Sequence, residues 1–476
     1  MKKKILKFTV ISHACLYIEF LNTRLLIDPW FIGSCYWRSW WNYPEPQFDL
    51  ISSLKPTHIY ITHLHWDHYH GPSLRKVQKY QPEIILPKHF NKRMLGDFIK
   101  DFKFKKITEI DHGKTYNIGK DFNITSYQFN PIVIDSSLVI EANNICLLNS
   151  NDAKVFGLSL KQIVSNHKQF DFVFRSHSSA GPIPHCVRGA DPNKSDRSPT
   201  DYCNDFINFG KATQGKYIIP FASSHIYLHP KTKKYNSYYS NPQMVKEIFD
   251  QQNNSYQNCV LMSSGSMWSK ESGFKTINHD YSHIKTHINE ATKKNKEKIE
   301  ESLKRNERSF LKEKYFHAYF RKFIKSTFFP FNLSFKFAFL IEEIPTNTLF
   351  LCIIDGKKKK TDLLKIKNES EIFQNQLSFV IKTSTQIFND CNKKIMHNTF
   401  AASKLLEIIL ISSNSNKNLN RYLALVDFYE NDCLPITKLF SIRNTLIILR
   451  RWREFIDVFY YLYLIKIRRV KISDLW

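Results

Sequence analysis

His63, His65, Asp67 and His68 place four potential metal ligands within six residues. Imidazole and carboxylate donors of this kind suit zinc, iron or manganese. An apolar, β-favouring run at 59–61 delivers them, and the chain turns just afterwards at Gly71-Pro72. His63 and His65 alternate with non-ligands, so an extended strand end points both rings to one side. Asp67 and His68 follow where the strand gives way to a loop, and they can start a second cation position close by. The pattern predicts two neighbouring divalent metal ions. A histidine-rich surface loop would not need this spacing.

The elements that must position these ligands can be read along the chain. Residues 6–11 and 15–20 read as short strands joined at Ser12-His13-Ala14, and 24–27 as a strand ending in Asp28-Pro29-Trp30. Residues 33–46 crowd Tyr36, Trp37, Trp40, Trp41 and Tyr43 beside Arg38. Such aromatics stack on a base or sugar while an arginine pairs with phosphate. Arg38, Trp40 and Trp41 are therefore substrate-binding candidates; a satellite core under a long loop is the other reading. Helices are expected at 73–80 and 91–102, strands at 83–86 and 115–127. A strand at 133–141 carries Asp135 near its start, and the strand at 145–148 leads to Asp152, well placed to bridge two metals. The apolar strand 170–174 ends in Arg175-Ser176-His177, suited to a substrate-facing loop. Residues 216–220 lead to His225.

The H-x-H-x-D-H motif closely resembles the signature of the metallo-β-lactamase fold. That resemblance implies an α/β protein, an αββα sandwich with metals at one edge of its two sheets. It also implies roles for single residues. Asp28 would support the metal-binding loop through hydrogen bonds, and Asp152 would bridge the metals. Asp135 stands where a third histidine is usual, which hardens the site and favours iron or manganese relative to zinc. The last ligand histidine is expected near Ala222, which makes His225 the candidate with a shifted register, and His229 and His177 the alternatives.

Several segments together resemble the CMP-N-acetylneuraminate hydroxylase group and its bacterial sugar-nucleotide hydroxylase relatives, over about residues 5–270. They are residues 13–19, Ile27-Asp28-Pro29-Trp30, the Trp-rich loop, the histidine motif, Asp135-Ser136, Asn151-Asp152 and residues 220–225. Those hydroxylases also carry a Rieske domain, whose iron–sulfur cluster needs C-x-H and C-x-x-H pairs. None of the nine cysteines here has a histidine two or three residues downstream. An internal electron supply is missing from this sequence.

With 476 residues the chain can bury a large core and is expected to form more than one domain. We read a catalytic domain at 1–270, a helical connector at 271–330, and a smaller α+β domain at 331–476; its strand alternation and the stretch 400–406 faintly resemble sterol-carrier-like modules, and a plain lid or dimerisation domain is the other reading. Lys and Arg total 69 against 43 Asp and Glu, a net charge of +26 that attracts anions. No nucleic-acid-binding signature accompanies it, so a small anionic substrate or a membrane surface is favoured over sequence-specific nucleic acid. The scattered cysteines, with no C-x-x-C, suit a reduced, cytoplasmic setting. No uncharged apolar run reaches the length that spans a bilayer. The tail at 444–470 mixes apolar residues with Arg450, Arg451, Arg453, Lys466, Arg468 and Arg469. It reads as a helix packed on the C-terminal domain or as a basic amphipathic segment lying on a membrane.

Two functions follow. In a two-metal hydrolase, His63, His65 and Asp135 would hold one ion and Asp67, His68 and His225 the other, with Asp152 between. A water acidified by the ions would attack a phosphoryl, ester or amide centre. Asp67, His70 and His177 are the candidate catalytic groups, and Arg38 and Arg175 would grip the anionic substrate. The alternative is a non-haem iron hydroxylase of a nucleotide-linked amino sugar, fed electrons by a separate reductase.

Overall fold

The computed structural model describes residues 5–129, 135–167, 169–178, 180–191, 197–252, 257–328 and 332–466. Val133 and Ile134 of the expected strand, and Arg468 and Arg469 of the tail, lie outside these, as does the side chain of Lys466. Among the described residues, two large sheets face one another. The first runs Gly273–Lys275, Met267–Ser269, Lys7–Ser12, Cys15–Phe20, Thr23–Ile27, His58–Tyr60, Glu83–Pro87 and Ile107–Ile110 in spatial order. The second runs Asn258–Cys259, Tyr217–Phe221, Phe172–Ser176, Ile145–Asn151, Asp135–Ala142, Phe122–Phe129 and Thr115–Gly119.

Alternation along each strand sends one set of apolar side chains between the sheets and the other outward. Phe8, Leu16, Ile18, Leu25 and Ile27 meet Ile124, Leu138, Ile140, Phe172 and Phe174 in the inner core. The outward set, Ile11, Leu26, Ile59 and Ile84, packs under helices that supply Leu74, Val77, Met94 and Phe98. On the far side Val139, Leu148, Val173 and Ile218 pack under Phe206, Ile207 and Val245 of Pro199–Thr213 and Pro242–Gln251. The layers are helix, sheet, sheet, helix: an αββα sandwich.

Beyond the sandwich, the helices Ile284–Lys294, Lys296–Glu307 and Glu313–Ser326 lead into a five-stranded sheet of order Lys360–Ile366, Thr348–Asp355, Lys336–Glu343, Phe379–Ser384, Leu406–Leu410. Its core is continuous with the aromatic loop: Trp30, Tyr36 and Trp40 belong to the same buried cluster as Phe320, Phe337, Phe388 and Tyr422. The C-terminal region is thereby packed against the mouth of the sandwich.

Candidate metal centre

Three strand ends and one turn converge on the same edge. The strand His58–Tyr60 ends just before Thr62, whose backbone N–H donates to Asp28 Oδ1 at 2.8 Å and whose hydroxyl donates to Asp28 Oδ2 at 2.7 Å. Asn151 also donates to Asp28 Oδ2. These bonds fix the ring orientations. His68 Nδ1 lies 2.8 Å from Asp28 Oδ2, which aims its Nε2 at Asp152 Oδ2 at 3.0 Å and Asp67 Oδ2 at 3.3 Å. Thr62 Oγ1 lies 2.9 Å from His63 Nδ1, which turns His63 Nε2 toward His65 Nδ1 at 2.8 Å and Asp135 Oδ1 at 3.7 Å. A histidine held through one nitrogen by a carboxylate or hydroxyl presents the other as a fixed ligand. Asp28, Asn151 and Ala222 all hold positive φ here, at 45°, 53° and 51°. Non-glycine residues in that region carry strain that is typical of functional sites.

Among the described residues, potential ligand atoms gather in three overlapping groups: His63, His65 and Asp135; His63, His68 and Asp152; and His13, Asp67 and His68. The sequence-derived set His63, His65, Asp135 thus comes together as one group, with Asp152 beside His68. The other group differs from the sequence reading. His13, from the turn between the first two strands, puts Nε2 3.0 Å from Asp67 Oδ2. His225 stands one ring further out, its centroid 5.5 Å from that of His13, stacked on Trp40 at 3.6 Å. Asp67 is also held by the Tyr36 hydroxyl, which donates to Oδ1.

Charge is poorly balanced in this pocket. Burial and the neighbouring Asp152 push the Asp135 carboxyl up to about 7. Burial alone would lower His68, but Asp67, Asp28 and Asp152 hold its ring well above the usual range. Burial alone would raise Asp67, but His68 and His13 hold it well below. Burial holds His63, His65 and His225 neutral, below the usual imidazole range. His13 Nδ1, both nitrogens of His225, His177 Nε2 and Asp135 Oδ1 are buried with no hydrogen-bond partner among the described residues. Buried polar atoms without partners are costly. Neutral imidazoles and carboxylates are the donors that divalent cations take. The residues fit a metal centre.

Access is through two adjoining cavities. A small one of about 200 Å³ is lined by His63, His65 and Asp135 below and by Asn398, Ala402 and Asp427 of the C-terminal region above. A larger one of about 750 Å³ shares Leu64 and Asn398 with it and carries Arg38, His70 and Trp37. Arg38 ends a run of three left-handed residues, Tyr36, Trp37 and Arg38, at φ 52°, 54° and 67°. Each such residue costs roughly 1–2 kcal/mol. The loop is pinned by C-terminal partners: Trp37 Nε1 to Asp390 at 2.9 Å, Ser39 Oγ to the Ser403 carbonyl at 2.7 Å and Trp40 Nε1 to the Ala402 carbonyl at 3.0 Å.

The remaining sequence-derived residues are placed as follows. Trp40 walls His225. Trp41 packs with Ile226, Ile288 and Ile299 in the satellite core under the connector helices. His70 stands just before the helix Gly71–Val77 without a side-chain bond to its backbone, lies 2.9 Å from Ser73 Oγ, and is pushed down to about 3 by burial. His177 Nδ1 meets Ser240 Oγ at 3.1 Å, and burial pushes its ring down to about 3. Arg175 turns into the outer helix layer, donating to the Asp205 carbonyl at 2.6 Å and lying over Phe209. His229 bonds its own turn through the backbone N–H of Lys231. His13 and the roofing Asp427 were not singled out as site residues from the sequence.

Residues 7–160 match the family described as beta-lactamase superfamily domain. The cytidine monophosphate-N-acetylneuraminic acid hydroxylase of Cricetulus griseus is 37% identical over 79 residues, which are 16% of this chain and 14% of that relative. A diiron β-hydroxylase from Streptomyces venezuelae aligns over 56% of this chain and 54% of its own, at 14% identity and TM-score 0.40. A metallo hydrolase from Ignicoccus hospitalis aligns over 56% of this chain and 98% of its own, at 12% identity and TM-score 0.39. No helix of the described residues is long and apolar enough to cross a membrane.

Proposed function

Starting from a β-lactamase superfamily domain over residues 7–160, we propose that this chain is a metal-dependent enzyme acting on a small anionic substrate, with hydrolysis as the reaction. The observation that carries this reading is the set of three overlapping ligand groups built on His63 and His68. Bound divalent ions would supply Lewis acidity and a water acidified toward neutral pH. His63, His65 and Asp135 would hold one ion and Asp67, His68 and His13 the other, with Asp152 between and His225 beside His13. The chain's own residues do the rest. Asp28, Thr62 and Asn151 hold the ligand rings, and Tyr36 holds Asp67. The roof of Asn398, Ala402 and Asp427 limits the reacting end of a substrate to the small cavity.

The larger cavity suits the remainder of the substrate. Arg38, Arg93 and Lys394 line it together with Asp97, Asp101 and Asp390. Guanidinium groups grip phosphate, and carboxylates accept from sugar hydroxyls. Trp37 and Trp66 offer flat faces, their ring centroids 4.9 Å apart. This mixture supports a phosphorylated or nucleotide-linked sugar. Burial keeps His70 neutral, so it serves as a hydrogen-bonding group and not as a cation.

A second reading is favoured by two observations: the 79-residue similarity to a hydroxylase of a nucleotide-linked acid sugar, and the carboxylate Asp135 among the ligands. In it the chain hydroxylates such a sugar, with iron as the metal and a separate reductase as partner. Elemental analysis of chelator-free protein, combined with turnover of nucleotide sugars and sugar phosphates under argon, decides between them. Zinc or manganese with oxygen-independent turnover supports hydrolysis. Iron, oxygen uptake and dependence on a reductant overturn it in favour of hydroxylation.

A further inference from the structure

The last two described helices, Ile442–Arg450 and Trp452–Lys466, have their polarity reversed. Their inner face is largely polar. Arg451 and Glu454, each 1% exposed, form a paired contact at 2.6 and 2.8 Å. Asp457 accepts from the backbone N–H groups of Leu158 and Ser159 at 2.7 and 2.8 Å, and from the Ser159 hydroxyl at 2.7 Å. Asp457 approaches so closely that a Cβ on Gly157 would lie 2.2 Å from its Oδ1. Arg443 pairs with Glu109 and donates to the His89 carbonyl. These contacts fix the pair's orientation on the sandwich.

The outer face is apolar. Ile442 is 84% exposed, Leu449 63%, Phe459 70% and Tyr460 59%, and Leu446, Trp452, Ile456 and Tyr463 lie between 44% and 47%. Positions 442, 446, 449, 452, 456, 459 and 463 follow at steps of three and four, a single stripe across both helices. Soluble surfaces seldom carry so long a contiguous apolar patch unless something covers it. The ion pairs beneath leave this face no freedom to rotate inward.

We propose that this stripe lies on an anionic lipid surface, with the two helices in the plane of the interface. Charge selects the occupant. The two carboxylates between residues 442 and 463, Glu454 and Asp457, are both buried, so this segment presents no acid on its outer face. Arg453 lies over the Trp452 ring at 4.5 Å, beside the stripe. A second copy would bring two chains of +26 together, whereas an anionic bilayer supplies the opposite sign. Trp452, Tyr460 and Tyr463 are amphipathic rings of the type that settles at headgroup depth.

Co-sedimentation of the full chain with vesicles tests this, using phosphatidylcholine alone and phosphatidylcholine with about a third phosphatidylglycerol, at fixed salt. The chain should bind the anionic vesicles at least about tenfold more tightly than the neutral ones. Ile456→Ser with Phe459→Ser should lose that binding by about tenfold or more. Both side chains are exposed, so metal content and thermal transition should stay unchanged. If that double variant misfolds, Leu449→Ser replaces it and should weaken binding severalfold. Equal binding to both vesicles, no binding to either, or wild-type binding by the variants would overturn the proposal. A concentration-dependent dimer in sedimentation velocity that the double variant abolishes, with no vesicle binding, would assign the stripe to a second copy instead.

Discussion

At the mouth of the sandwich, His63, Asp67 and His68 are at most 3% exposed; on the C-terminal helix pair, Phe459 is 70% and Ile442 84% exposed. The two regions break one rule of burial in opposite directions. Polar groups, several with atoms that find no partner among the described residues, are enclosed in the first, and apolar groups face outward in the second. Each departure is held by conventional chemistry. Asp28 and Thr62 lock the buried imidazoles, and Arg451, Glu454 and Asp457 lock the helix pair. The lesson is that a cost accepted at a well-anchored place points to a missing counterpart. For the enclosed polar groups we propose a cation as that counterpart, and for the exposed stripe an anionic lipid surface.

The largest effect is expected at the enclosed histidines. Changing His63 and His65 together to Ala should remove at least one metal ion and lower turnover by roughly a thousandfold or more. Elemental analysis and a single-turnover assay check this, with a thermal transition to show that the fold persists. Full metal content and activity in this variant would mean that the enclosed histidines serve packing alone.

A smaller effect is expected in the larger cavity. Arg38→Ala should weaken binding of a nucleotide sugar on the order of tenfold, as expected for a charge-assisted contact of about 1.5–3 kcal/mol. Metal content should not change, because Arg38 lies in the larger cavity. Titration of both proteins at one salt concentration measures it, and equal affinities would make the loop structural.

The smallest effect tests whether enclosing a cation without an opposite charge is a cost at all. Lys404 is 1% exposed, lies 2.8 Å from His185 Nδ1, and burial pulls its amine down to about 7. Unfolded, the amine titrates near its ordinary 10.5. Between these values the unfolded chain binds the extra proton, so stability should rise with pH across that window, by at most about 1.4 kcal/mol per unit. Lys404→Met should flatten this slope and stabilise the protein at pH 7. Denaturant midpoints taken from pH 7 to 10 read it directly, and an unchanged slope would show that Lys404 is not its source.

How much was legible in the sequence follows from the range of each interaction. His63, His65, Asp67 and His68 declare themselves because strand alternation and loop geometry act over a few residues. Asp28, Asp135 and Asp152 sit at strand ends, and hydrophobic runs mark those ends. His13 gives no local signal: its contact with Asp67 spans 54 residues and depends on sheet pairing. Its place in a turn between two apolar strands at the same sheet edge was the available clue. The roof is still more distant, since Asn398 and Asp427 meet Leu64 and Asp135 only through docking of the C-terminal sheet. The helix His397–Ser403 stops where Lys404 turns left-handed at φ 54°, and Leu406–Leu410 joins the sheet although residues 404–406 would suit a longer helix. Pairing with Phe379–Ser384 outweighs the helical preference of that stretch.

We propose that the enclosed cluster is a two-metal centre in which His13 completes the second site. The most direct measurement is the metal-to-protein ratio of chelator-free wild type and His13→Ala, determined by elemental analysis on folded, monodisperse samples. We predict about two ions per chain in the wild type and about one in the variant. A wild type that retains no ions, or a His13→Ala protein that keeps two, would contradict it.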